Sequence, residues 1–201
     1  MPSSDDRLKH LVGTATAIFA ERGYHATSMR DLSRASGMSL AGIYHYVRSK
    51  HQLLFLIQDQ CFTEVHAGAV AALEGVTDPE ERVKAFIRHH LVFFTGHMDK
   101  MKVLSHEDDE LEGTMRRQVR ERKRAYVDLL TSLLHQVDHR PVNPVVAGYT
   151  LFGMMNWIYT WYNPAGAIRP EQLADDVSRL FLYGYLPSAR PAAELAAAPG
   201  G

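Results

Sequence analysis

Apolar residues along this chain recur at steps of three and four rather than two, so helices are the expected elements. Leu8, Leu11, Val12, Ala15, Ile18 and Phe19 form one stripe of about four turns, which Gly23 ends. Ser28 followed by Asp31 predicts the capped start of a short helix, Gly37 breaks it, and Ser39 caps another that runs to about residue 46. Ser49 with Gln52 opens a long helix over 50–73. Asp78 and Pro79 start one that runs to 95, and a short helix is expected over 99–106. After the acidic stretch 107–112 comes a long helix ending near 137. Asn143-Pro144 opens a helix to about 162, and Pro170 opens a last one to about 185.

The fold class that follows is all-α: a three-helix N-terminal module over 1–50 and a larger helical domain over 51–187. The Ala/Pro/Gly-rich residues 188–201 read as a flexible tail.

Composition alters this picture in one respect. The net charge of the 201 residues is only -1, but its distribution is uneven. Residues 7–50 carry seven Lys/Arg against two acids, and residues 51–201 carry 15 against 19. A basic head on an acidic body points the head toward a polyanion. Cys61 is the single cysteine, so neither an internal disulfide nor a paired-thiol metal site is open to the chain. Neither a secretion signal nor an apolar run of membrane-spanning length is visible, and a cytoplasmic protein is expected.

Residues 28–46 have the spacing of a helix-turn-helix. Two short helices that cross steeply need a turn residue able to take positive φ, and Gly37 supplies it. Met29, Leu32, Met38 and Ile43 would share a small core with Ile18 and Phe19. The second helix is then free to present Ser39, Leu40, Ala41, Gly42, Tyr44 and His45 outward, with small residues where the backbone would near base edges.

From Phe19-Ala-Glu-Arg-Gly-Tyr to Tyr44-His-Tyr-Val-Arg-Ser-Lys-His-Gln-Leu-Leu54, the chain resembles the signature of the TetR family of transcriptional regulators almost position for position. The resemblance covers about the first 55 residues. It implies that Ser28, Arg30, Ser39, Ala41, Gly42, Tyr44, His45 and Lys50 contact DNA, and that the protein acts as a homodimer on a palindromic double-stranded operator. Val47 stands where the family usually has phenylalanine, a change of packing rather than of a DNA contact.

Beyond that stretch, Leu151-Phe-Gly-Met-Met-Asn-Trp-Ile-Tyr-Thr-Trp-Tyr-Asn-Pro164 and Leu180-Phe-Leu-Tyr-Gly-Tyr185 resemble the branch of the family that senses acyl-CoA thioesters. That implies a small-molecule effector, an acyl-CoA, and no bound cofactor. The alternative effector is a hydrophobic drug or other small organic molecule. The helix over 145–162 is apolar nearly all round and must be covered on several sides. One side, with Gly148 and Gly153, is expected to form a dimer seam with the stripe Leu173, Val177, Leu180, Phe181 and Gly184. Phe152, Trp157, Tyr159 and Trp161 are open to two readings, pocket wall or plain core. In the helix over 114–137, Arg122 and Lys123 interrupt the stripe Met115, Val119, Tyr126, Leu130, Leu133 and Val137. Arg120, Arg122, Lys123 and Arg124 are therefore candidate anchors for the CoA phosphates, with a solvated basic face as the other reading.

Catalysis is not expected. A phosphate-cradling glycine loop needs a strand before its helix, no G-x-S-x-G occurs, and Cys61 sits within an amphipathic helix. The eleven histidines do not fall into a spacing that would hold a metal.

Overall fold

The computed structural model describes residues 3–106, 110–137 and 142–185, and among these every regular element is a helix. Helix α1 spans Ser4–Arg22, α2 Met29–Ser36, α3 Leu40–Tyr46, α4 Lys50–Ala72 and α5 Pro79–Thr95. They are followed by α6 Met98–His106, α7 Gly113–Leu134, α8 Pro144–Asn156, a 3₁₀ turn Trp157–Thr160, and α9 Pro170–Tyr185. The tail expected over 188–201 lies outside the described residues.

Most helix starts follow from side-chain caps. Ser3, Ser28, Ser39 and Ser49 each accept a backbone N–H in the first turn of α1, α2, α3 and α4. Asp6 and Asp31 return the bond to the backbone of Ser3 and Ser28. Helix α1 begins four residues before the apolar stripe because Ser3 and Asp6 cap it, a polar signal that hydrophobic periodicity does not see. Gly37 takes φ 67°, the left-handed turn that lets α2 stop and α3 leave at a new angle. Helix α8 gives way to the 3₁₀ turn after Asn156, so the single helix expected to residue 162 is two elements.

Two apolar clusters organise the chain. The head cluster joins Leu11, Ile18, Phe19, Leu32, Ile43 and Val47 to Leu53, Leu54 and Ile57 of α4, and also to Val103, Leu111 and Val119. The body cluster gathers α5, α8 and α9 around the distal halves of α4 and α7. Helices α4, α6 and α7 each contribute to both. Leu53 and Cys61 of α4, Val103 and Met101 of α6, and Val119 and Tyr126 of α7 belong to different clusters on a single rigid element. Head and body therefore share helices instead of being joined by a linker.

Candidate functional site

The head turns the outer sides of α2 and α3 to solvent. Arg30, Ala41, Tyr44 and His45 are exposed along α2 and α3, with Tyr44 50% open to solvent. Ile43, on the opposite side of α3, is fully buried and holds the helix to the head cluster. Ser28 and Ser39 lie at the two helix starts on this face, their hydroxyls engaged by backbone N–H groups of Asp31 and Gly42. Gly42 sits close under that cap, where an added Cβ would stand 3.2 Å from the Ser39 Oγ and press on it. Val47 is 1% exposed and completes the packing under α3.

Lys50 is placed differently from the expectation. Its ammonium donates to the carbonyls of Tyr24 at 2.7 Å and Thr27 at 2.8 Å and sits 4.1 Å over the Tyr24 ring. It ties the start of α4 to the loop before α2, which makes it a brace for the reading face. Sequence reasoning also passed over Arg7, which lines a shallow groove with His10, Ser39, Gly42 and His45 at the edge of α3. The signal was there: a cation directly before Leu8, the first apolar residue of the α1 stripe.

The body holds a cavity of about 430 Å³ that opens to solvent past Tyr149 and Trp157. Phe62 of α4, Phe94 of α5, Met101 and Leu104 of α6, Val127 of α7 and Phe152 of α8 supply most of its apolar wall. Its polar lining is His90, Ser105, Lys123, Tyr126, Tyr149, Asn156 and Tyr159. His90 stands on the core face of α5 and is 2% exposed. Its Nδ1 is 3.2 Å from the Tyr126 hydroxyl. Burial pushes His90 down to about 3, opposed by the Asn156 side chain beside it. Burial likewise lifts Tyr126 well above the usual phenol range. Cys61 is buried and raised to about 12 by desolvation, so the thiol is protonated and unreactive at neutral pH.

Of the aromatics open to two readings, Phe152, Trp157 and Tyr159 line the cavity. Trp161 does not: it follows the 3₁₀ turn, 53% exposed, and its neighbour Tyr162 turns inward instead. Of the four candidate cations only Lys123 lines the cavity. Arg122 reaches across to Asp59 of α4 at 3.2 Å, and the exposed Arg124 lies 3.7 Å from Asp128 on its own helix. Arg120 joins Arg116, Arg117 and Arg124 along an open groove on α7. Arg122 lies along the α4–α7 contact, and the helix turns only its Lys123 side to the cavity, so a break in the apolar stripe does not by itself mark a pocket cation.

The expected seam is also redistributed. Leu173, Val177 and Phe181 are buried within the chain itself, in the body cluster where α9 lies along α5. Gly148 is buried where α8 nears α7, 3.4 Å from Thr131 Oγ1 for an added Cβ, and Gly153 lines the cavity. Leu180, at 70%, and Gly153 are the open members of the expected set, and Gly184 lies outside the residues whose surroundings are described. The outward apolar residues of α8 and α9 are Val145, Val146, Tyr149, Leu180 and Tyr183. His90, Tyr126 and Asn156 were not singled out as site residues. Their signal is a histidine on the stripe Val83, Phe86, Ile87, Leu91, Phe94 and an asparagine in an otherwise apolar helix.

No three His, Cys, Asp or Glu side chains gather as a metal site among the described residues, and none of their helices is long and apolar enough to cross a membrane.

Comparison with known proteins places the chain. Residues 11–57 match the family of bacterial regulatory proteins named for TetR, and residues 76–185 match a tetracyclin repressor-like C-terminal domain. The transcriptional repressor KstR2 of Mycolicibacterium smegmatis is 24% identical over 186 residues, 89% of this chain and 90% of that one. The crystal structure of AibR in complex with isovaleryl coenzyme A and operator DNA superposes with a TM-score of 0.78 at 32% identity, covering 87% of this chain and 97% of that one. The ketosteroid regulator KstR2 of Mycobacterium tuberculosis shares the fold, with a TM-score of 0.83 at 19% identity over 92% of this chain and 98% of that one. With a helix-turn-helix head, a helical body and a family match across both, this chain belongs to the TetR family of DNA-binding transcriptional regulators.

Proposed function

We propose that this protein is a cytoplasmic, homodimeric repressor that reads a palindromic operator through α3 and leaves it when an acyl-CoA thioester enters the body cavity. The observation that carries the reading is the apolar cavity of about 430 Å³ in a chain 32% identical to a protein crystallised with isovaleryl coenzyme A and operator DNA. This volume is at the small end for ligand sites, with room for a short acyl group but not for the nucleotide half of CoA. That half would leave along α7. Residues 116, 120, 123 and 127 form one helical stripe, in which Val127 and Lys123 line the cavity and Arg120 and Arg116 continue outward. Guanidinium groups in such a row suit phosphate.

The exposed Val146, Tyr149, Leu180 and Tyr183 on α8 and α9 are the surface a second copy would cover. A dimer sets two α3 helices about one duplex turn apart. Coupling runs through α6. Met101 and Leu104 line the cavity while Val103, between them in sequence, is locked in the head cluster. A ligand that displaces α6 moves a residue of the head core with it. Hundredfold release needs only about 2.7 kcal/mol of differential ligand affinity between the two states.

The test is a gel shift of the DNA upstream of this protein's own gene, titrated with acyl-CoA thioesters and with free CoA as control. Release by a thioester at micromolar levels and not by free CoA is the expected result. A thioester that tightens the complex overturns the sign of the response. Indifference to every thioester moves the ligand class to a hydrophobic drug or other small organic molecule, a second reading favoured by the pairing of Arg122 with Asp59 and of Arg124 with Asp128, away from the cavity.

A further inference from the structure

One wall of the cavity carries polar groups whose hydrogens can be placed by elimination. A buried phenol keeps its hydrogen at neutral pH, and the partner the structure gives the Tyr126 hydroxyl is His90 Nδ1, at 3.2 Å. If Nδ1 carried the ring proton, the phenolic hydrogen would be left without an acceptor in an apolar surround, the more costly arrangement. The hydroxyl therefore donates, Nδ1 accepts, and the single proton of the neutral imidazole sits on Nε2. That Nε2 is buried and closes no hydrogen bond. Asn156, at the last turn of α8, comes near enough to the imidazole to favour its charged form through a side-chain hydrogen-bond interaction, and it lines the same cavity. A buried donor without a formed hydrogen bond, on a residue that lines a cavity and has an amide near its ring, marks a contact that a ligand reaches once the covering Asn156 side chain turns toward it.

We propose that His90 Nε2–H and the Asn156 amide recognise the acyl carbonyl oxygen of the ligand, with Tyr126 as the positioning residue that holds the imidazole in its donor tautomer. The inference rests on the acyl-CoA reading of the cavity. It adds the atom that is read: an uncharged acceptor oxygen, set among Phe94, Phe152 and Met101. A ligand of the same carbon skeleton without that oxygen leaves the donor unmet and binds more weakly.

The experiment compares isovaleryl-CoA with its thioether, S-(3-methylbutyl)-CoA, in which CH₂ replaces the carbonyl, by calorimetric titration of the full chain. The wild type is expected to bind the thioester about tenfold or more tightly than the thioether. His90→Phe should bring the two affinities together. Asn156→Leu should narrow the ratio, and because Asn156 is solvent-exposed at a helix end this variant keeps the fold if His90→Phe does not. Tyr126→Phe should reduce the ratio by weakening the thioester while leaving thioether affinity in place, which a general loss of packing would not do. Equal binding of both ligands by the wild type, or an unchanged ratio in His90→Phe and Asn156→Leu, overturns this inference and leaves the acyl-CoA reading standing. Binding of neither ligand overturns both.

Discussion

The head and the body of this chain bury their apolar residues in different ways. In the head, four helices begin at serine caps and bring Leu11, Leu32, Ile43 and Leu53 together, fully buried, in one cluster. In the body, α8 is covered on one side by α7, on another by α9 and the cavity, and exposes Val145, Val146 and Tyr149 on the rest. The body also stores polar groups inside, with His90 and Tyr126 sealed among aromatic rings. A filled core fixes α3 in one pose against DNA. A core with a hole and an unmet donor leaves room for a ligand to finish it, and the shared helices α4, α6 and α7 connect the two.

The difference can be pressed at both ends. Ile43→Ala opens a hole under α3 in a cluster without slack and should cost about 2–5 kcal/mol by denaturant melting, with operator affinity lost alongside. A loss below about 1 kcal/mol would mean that the head relaxes as the body can.

Acid should find the body first. His90 is held near 3 in the folded chain against about 6.5 unfolded, so its contribution is complete above pH 6.5 and is lost as pH falls from 6.5 toward 3. The slope should be worth a few kcal/mol, on the order set by linkage, and His90→Phe should flatten it. A wild type and a His90→Phe variant with parallel stability–pH curves would remove His90 from the account.

Two glycines sharpen the contrast on a smaller scale. In α4 a Cβ on Gly68 would lie 2.3 Å from the His89 ring, whose Nε2 is tied to the Val65 carbonyl at 3.0 Å. Gly68→Ala should lower stability by about 1–3 kcal/mol despite the better helix former. Gly13 in α1 has no atom within 4 Å of an added Cβ, and Gly13→Ala should raise the melting free energy by up to about 1 kcal/mol. A gain in stability from both would show that helix propensity, not packing, decides at these positions.

How much of this was legible in the sequence varied along the chain for physical reasons. The head reads well because its signals are local. Ser28 and Asp31, Gly37, and Ser39 act within one turn of themselves, and the apolar spacing of α1 to α3 has one partner to satisfy. The cavity reads poorly because its wall comes from five helices, and whether Phe152 or Trp161 faces it depends on where α8 yields to a 3₁₀ turn. Part of the expected seam proves to be core for a related reason. Leu173, Val177 and Phe181 form a valid stripe, but hydrophobic period cannot tell a core inside one chain from a seam between two.

By itself, then, the sequence determined the helices, their caps, the steep turn at Gly37 and the basic face of the head. Each of these is settled by residues a few positions apart. Tertiary structure decided the rest: that Lys50 braces a loop, that Arg122 meets Asp59 while Lys123 turns to the cavity, and that His90, Tyr126 and Asn156 share one wall. Those outcomes depend on how α4, α5, α7 and α8 rotate about their own axes when packed together. Only the closed core fixes those angles.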